Sequence, residues 1–236
     1  MVRSRFGLGK SFILLGTGLL GCLAMVGVRF LFTGHWTHAF LIWNLVLALV
    51  PLAIAGFAQV LTKKGPFVLL LPLLFLLSLA WLIFFPNSSY IFTDFIHLIQ
   101  RGLPVDNPNA RGMENMLLWY DVIVRSLFAF SGHFLGLVSL LIMHRLWRRF
   151  FGRLWGWILV FLSSIFAGYG VFVGRFLRLN SWSLFTYPHS TWHAVFDNLF
   201  MPDAWLFSLS IAFFLGVSYL FVYLLNRSHW GDVDES

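Results

Sequence analysis

The sequence predicts an all-α fold: a polytopic transmembrane bundle of six spans with short interfacial helices on the extracytoplasmic side. Three observations predict it. The chain of 236 residues is 59% hydrophobic and 11% charged, with a mean hydropathy of +0.83, whereas a soluble domain carries about a quarter charged residues. Its apolar residues gather into six runs of membrane-spanning length. Lysine and arginine concentrate in alternate loops. Together these describe one integral membrane domain over residues 1–236.

The first run, 11–28, follows Arg3, Arg5 and Lys10 and so imitates a secretory signal, with "LLGC" ending at Cys22 like a lipoprotein box. The sequence stays apolar to Val28, where a lipoprotein would turn polar, so the run is read as a retained anchor. Cys22 is the one cysteine, and no internal disulfide can form. The remaining runs are 39–61, 66–85, 117–141, 154–176 and 204–225. Each run is about 18 to 25 residues, roughly 27 to 38 Å of helix, enough for a ~30 Å hydrocarbon core. No period-two alternation recurs, which argues against a barrel.

One set of loops holds Arg3, Arg5, Lys10, Lys63, Lys64, Arg145, Arg148, Arg149, Arg153 and Arg227. The alternate set holds only Arg29, Arg101, Arg111, Arg175 and Arg178, over longer segments. Both termini are therefore expected in the cytoplasm of a cell-membrane protein. The net charge of +7 is scattered rather than gathered on one face, so no nucleic-acid partner is expected.

Three polar stretches then fall on the outer side. In "WLIFFPNSSYIFTDFIHL", Trp81–Leu98, Pro86 breaks the third span and Asn87 or Ser88 suits a new N-cap. A helix over 89–101 would line up Tyr90, Asp94, His97 and Arg101 opposite Ile91, Phe95, Leu98 and Ile99. Such a helix could lie in the interface with a solvated polar face, or tuck back between the spans with Asp94 and His97 in a site. Asn87-Ser88-Ser89 also matches a glycosylation sequon, a tripeptide too short and too near the membrane to carry weight.

On the fourth span Asp121 and Arg125 stand four apart in the favourable order for a helical ion pair. Arg125 lies ~12 Å in from Leu117 and needs a partner. His133 sits near the midplane between Gly132 and Gly136, which permit close helix approach, and is read as a neutral histidine bonded to a neighbouring helix. "GRFLRLNSWS" ends the fifth span with Arg175 and Arg178 on one face, followed by Asn180, Ser181 and Trp182. Each guanidinium is a planar fork for a carboxylate or phosphate, whether of Asp94, Asp121, a lipid or another anion. In "YPHSTWHAVFDNL", His189, His193 and Asp197 recur every fourth residue, weak metal-ligand candidates. Ser190 stands where a zinc protease would have glutamate, and an amphipathic surface helix explains the pattern without metal.

"FFPNSSYIFTDFIHL", "LWYDVIVRSLFAFSGHFLGLVSL" and "GYGVFVGRFLRLNSW" together resemble the bacterial integral membrane proteins catalogued as domain of unknown function 1361, over roughly residues 45–225. The resemblance implies a multi-span protein of bacteria or archaea and carries over no activity, cofactor or catalytic residue.

The expected function is therefore an outer-face polar cluster that binds a lipid headgroup or small anion. Its candidates are Asn87, Tyr90, Asp94, His97, Asp121, Arg125, Arg175, Arg178 and Asn180. The lipid bilayer is the one expected partner besides that ligand, and no cofactor or metal is expected. Two alternatives stand: a scaffold whose cluster only locks helices together, and a small-solute transporter using His133, Ser163, Ser164 and Pro51 near mid-bilayer. Enzymatic use would need Asp94 or His97 with the arginines, and no motif fixes a nucleophile.

Overall fold

The computed structural model describes residues 6–62, 67–97 and 113–228, and every regular element among them is helical. The long helices are α1 (Phe6–Thr33), α2 (Ala39–Leu61), α3 (Phe67–Phe84), α5 (Met113–Phe151), α6 (Arg153–Phe176) and α9 (Pro202–Ser228). Six helices are long and apolar enough to cross a membrane. Between them lie α4 (Asn87–Tyr90), which runs on as a 3₁₀ turn over Ile91–Phe95, and the short α7 (Ser183–Thr186) and α8 (Pro188–Asn198). Pro188 opens α8 at its first turn, where its missing N–H would have had no helical partner.

Several helices outrun their predicted spans. Helix α5 has 39 residues, roughly 58 Å, against an expected span of 117–141. Hydropathy marks where the chain enters lipid, whereas backbone hydrogen bonding continues until something breaks it. The stretch Arg145–Phe151 contains no breaker, and α5 stops only at Gly152, whose φ of +95° lies outside the reach of most side chains.

Helix α5 is the hub: 72% of its apolar span is buried, against 11% for that of α1 and 22% for that of α9. One core forms where α1 and α2 meet it, around Cys22, Leu41, Leu45 and Phe128. A second gathers α3, α5, α6 and α9 around Trp81, Phe85, Leu140 and Tyr219, with Trp81 and Phe85 stacked at 4.5 Å. The α3–α5 seam carries polar pins, the Trp81 indole donating to Ser139 at 3.1 Å and the Trp147 indole to Ser78 at 2.9 Å. Helices α6 and α9 approach so closely at Gly168 that a Cβ there would collide with the Ser208 carbonyl, the small-residue contact usual between membrane helices.

The segment after Pro86 is buried between the spans, as the second of its two expected placements has it, but it does not turn back. Pro86, Tyr90 and Ile91 keep helical dihedrals, and Leu70–Phe95 is one membrane-length run that follows α5 from Ser78 beside Trp147 to Asp94 beside Arg125. It does not lie on the surface with a wetted stripe; Ser88, Ser89, Ile91 and Asp94 are buried between α2 and α5. Gly132 and Gly136 make the room: a Cβ on Gly132 would meet the Ser88 carbonyl at 3.1 Å, and one on Gly136 would overlap the Ser88 side chain. The two glycines thus admit the continuation of the third span. The expected N-cap is also revised. Pro86 holds the cap position with no side-chain bond, and Asn87 and Ser88 are already helical. Residues 98–101 of the predicted helix lie outside the described residues.

Candidate functional site

The polar side chains of the sequence motifs do converge at one end of the bundle, but they divide into two groups. The first is centred on Asp121, in the third turn of α5. Arg29, near the end of α1, grips its carboxylate with Nε at 2.7 Å and a second nitrogen at 3.3 Å. His38, immediately before α2, adds Nε2 at 2.8 Å. The expected Asp121–Arg125 pair is not formed among the described residues. Both Asp121 oxygens are taken by α1 and the α1–α2 connection, which lie nearer the helix end than Arg125 does. Arg29 and His38 fell outside the predicted set. Their signal was positional, a cation and an imidazole at the ends of two apolar runs.

The second group is centred on Asp94, in the 3₁₀ turn that follows α4. Asn44 of α2 donates to its carboxylate at 2.8 Å. Arg175, in the last turn of α6, stands at 3.8 Å from the other oxygen, which is the clamp expected for one of the two arginines. Arg125 is buried and donates instead to the Asp94 backbone carbonyl at 2.8 Å, with its guanidinium 5.4 Å from the Phe40 ring. The 3₁₀ turn offers the buried fork a carbonyl for one of its nitrogens. His97 is half-buried and meets the edge of Phe40 at 6.1 Å. Asn44 was missed by sequence reasoning, although a lone amide in an apolar span is the kind of residue membrane burial singles out.

Deeper in, the His133 ring pairs with the Ser89 hydroxyl at 3.2 Å and stacks on Phe214 at 4.7 Å, so this histidine does bond to a neighbouring element as expected.

Beside the Asp94 group a cavity of about 610 Å³ opens between α2, α3, α6 and α8, within the usual range for small-molecule sites. Its walls are apolar, with Leu47, Leu82, Phe166 and Val173 among them, and polar groups border it at Asn44, Asn87, Tyr90, Asn180, Ser181 and Thr191. Asn87 donates to Ser181 at 3.1 Å and so ties α4 to the connection after α6. The Tyr90 ring packs over Gly174, where a Cβ would come within 3.1 Å of it. Neither the Tyr90 hydroxyl nor the Asn180 side chain hydrogen-bonds to a described residue.

Arg178 differs from Arg175. It is exposed, has no charged or hydrogen-bonding partner among the described residues, and holds φ at +54° just past the end of α6. That is the left-handed position that favours glycine, where another L-residue costs about 1–2 kcal/mol. His189 and His193 approach each other at 3.3 Å on the exposed face of α8, yet no three metal-ligating side chains gather among the described residues, Asp197 included.

Six membrane-length helices, with apolar outer faces such as Phe75, Leu206 and Phe213 exposed for lipid, define a multi-pass helical membrane protein. The sequence model of one family, described as "Protein of unknown function (DUF1361)", matches residues 43–217. The chain belongs to that family. No curated protein and no solved structure matches it.

Proposed function

We propose that this protein is an integral membrane binding protein that holds a lipid headgroup or small anion at the extracytoplasmic face, with both termini in the cytoplasm. One observation carries the reading. Side chains from two separate sequence stretches border one cavity, and two of them, Tyr90 and Asn180, keep hydrogen-bonding groups that no described residue uses. Tyr90 is half-buried and Asn180 exposed at the cavity border, and polar groups there without a protein partner are what a ligand or ordered water satisfies.

The two polar groups then have different roles. Asp121, Arg29 and His38 satisfy one another and fasten α1 to α5. Asp94 holds Asn44, which borders the cavity, by a hydrogen bond and faces Arg175 with its other oxygen. The concentration of Arg145, Arg148, Arg149 and Arg153 at the opposite end supports the assigned orientation.

The test is native mass spectrometry of the detergent-purified protein. Wild type is expected to retain a discrete non-protein mass that Tyr90→Phe combined with Asn180→Ala removes, with the thermal midpoint unchanged. A clean protein mass in wild type, together with a large loss of stability in the double variant, would favour the scaffold. Solute flux that depends on His133 would favour a transporter.

A further inference from the structure

We propose that the ligand is a phosphate-headed lipid, with its hydrocarbon tail in the cavity and its phosphate held by Arg178. The inference rests on the binding reading above and narrows it to one class of molecule.

The tail follows from the shape and surroundings of the cavity. Its α6 wall runs from Phe166 to Gly174, a rise of about 12 Å, so it reaches well into one half of a ~30 Å hydrocarbon core. Several lining side chains are also exposed on the outside of the bundle, Leu79 at 46%, Phe166 at 55% and Trp192 at 51%. On membrane-spanning α3 and α6 the outside is lipid, so the cavity opens sideways and can be entered from within the bilayer. A water-soluble anion has no use for apolar walls of that depth.

The head follows from Arg178. The polar groups bordering the cavity, Asn44, Asn87, Tyr90, Asn180, Ser181 and Thr191, are all uncharged. They suit the glycerol or sugar portion of a headgroup, through amide and hydroxyl bonds. The charge comes from the rim. Arg178 immediately precedes Leu179 and Asn180, which line the cavity, and is the exposed guanidinium there without a described protein partner. Arg175 is already committed to Asp94. Arg178 stands in the left-handed turn that closes α6, where the Leu179 N–H returns to the Val173 carbonyl at 3.4 Å, a position that glycine would fill at less cost. A guanidinium fork matches phosphate in bidentate geometry.

The strain supplies the discriminating experiment. Arg178→Gly relieves the left-handed backbone and removes the fork in one change. Wild type and variants are reconstituted in vesicles of equimolar phosphatidylglycerol and digalactosyldiacylglycerol, a bilayer lipid with no phosphate, extracted gently and weighed by native mass spectrometry. Wild type is expected to retain the phosphate lipid over the phosphate-free one by about tenfold, the worth of one charge-assisted contact. Arg178→Gly should bring that ratio near one while keeping the thermal midpoint or raising it by up to about 2 °C. Val173→Phe or Leu47→Trp, each filling the cavity from a different wall, should retain neither lipid.

An unchanged ratio in Arg178→Gly, or a fall in its midpoint of more than about 3 °C, overturns the assignment of Arg178. Binding of inorganic phosphate that survives both cavity-filling variants overturns the tail. If wild type holds both lipids equally and the filled variants hold neither, the cavity still binds lipid and only the phosphate is wrong. If wild type holds no lipid but binds inorganic phosphate, the narrower proposal falls and the binding reading stands; if it holds neither, both fall.

Discussion

Asp121 is held by two partners from a different helix and its connection, so its removal strands a cation. Arg29 would be left part-buried at the end of α1 with no carboxylate opposite it. Breaking a buried pair from one side costs about 3–5 kcal/mol, whereas replacing both members by apolar groups is often neutral. Asp121→Ala should therefore lower the thermal midpoint sharply in mild detergent, and Asp121→Leu with Arg29→Met should recover much of the loss. Equal losses in the two would mean that packing of α1, rather than charge, is what Asp121 secures. Gly152 makes a second expectation at this scale. Its φ of +95° joins α5 to α6 across a single residue, with nothing near the position of a Cβ. Gly152→Ala should cost about 1–2 kcal/mol through the backbone alone, visible as a lower midpoint with no change in lipid retention. Residues of this kind show how far the sequence can be read. Asp94 and Arg175 were legible as partners because opposite charges in an apolar chain must find each other. The Asp121–Arg125 reading failed because helical spacing shows only which side chains can meet, and a neighbouring helix offered a better-placed cation.

The segment after Pro86 shows the same division among elements. Proline after an apolar run announced a break, and the hydrophobic pattern announced a short helix. Neither told that the segment would carry the span onward, buried, because that is decided by space on other elements. That space is the pair of glycines on α5. Gly136→Val should collide with Ser88, cost about 1–3 kcal/mol as an overpacked contact, and loosen residues 87–97. Hydrogen exchange on that segment should rise, and the Ser89–His133 bond should be lost with it. Gly216→Ala on α9 is the control. Nothing lies within 4 Å of a Cβ there, so stability should hold or improve slightly, as for a glycine removed from a helix interior. Similar losses in both variants would show that helix propensity, not the slot for α4, governs the response. The spans themselves were legible because period and hydropathy act locally. Their true ends were not, since α5 runs on through a basic stretch that hydropathy scores as loop while its backbone has no reason to stop.

For the whole molecule, everything proposed about the ligand depends on which leaflet the cavity faces. The polar cluster and Arg145–Arg153 lie at opposite ends of α5 and α6, a separation fixed by helix length rather than by charge. Charge enters only in orienting that axis, and it does so through loops that must cross or stay during insertion. Lys63, Lys64, Arg101 and Arg111 contribute to the bias but lie outside the described residues. The described cations already favour one sense. Arg145, Arg148, Arg149 and Arg153 cluster within one short turn, and of the outer cations Arg29 and Arg175 are paired with carboxylates. Cysteine labelling settles the matter, in a background where the buried Cys22 is replaced by serine. Ser190→Cys and Asn180→Cys, both exposed, should react with an impermeant maleimide on intact cells. Leu154→Cys, exposed at the other end, should react only after permeabilisation. The reverse pattern would leave the cavity and Arg178 intact as a lipid site but turn them toward the cytoplasmic leaflet, whose anionic lipids would then supply the phosphate. Labelling of Ser190→Cys and Leu154→Cys from the same side would be more damaging. It would mean that α6 does not cross the bilayer, and the sideways opening of the cavity into lipid would lose its basis.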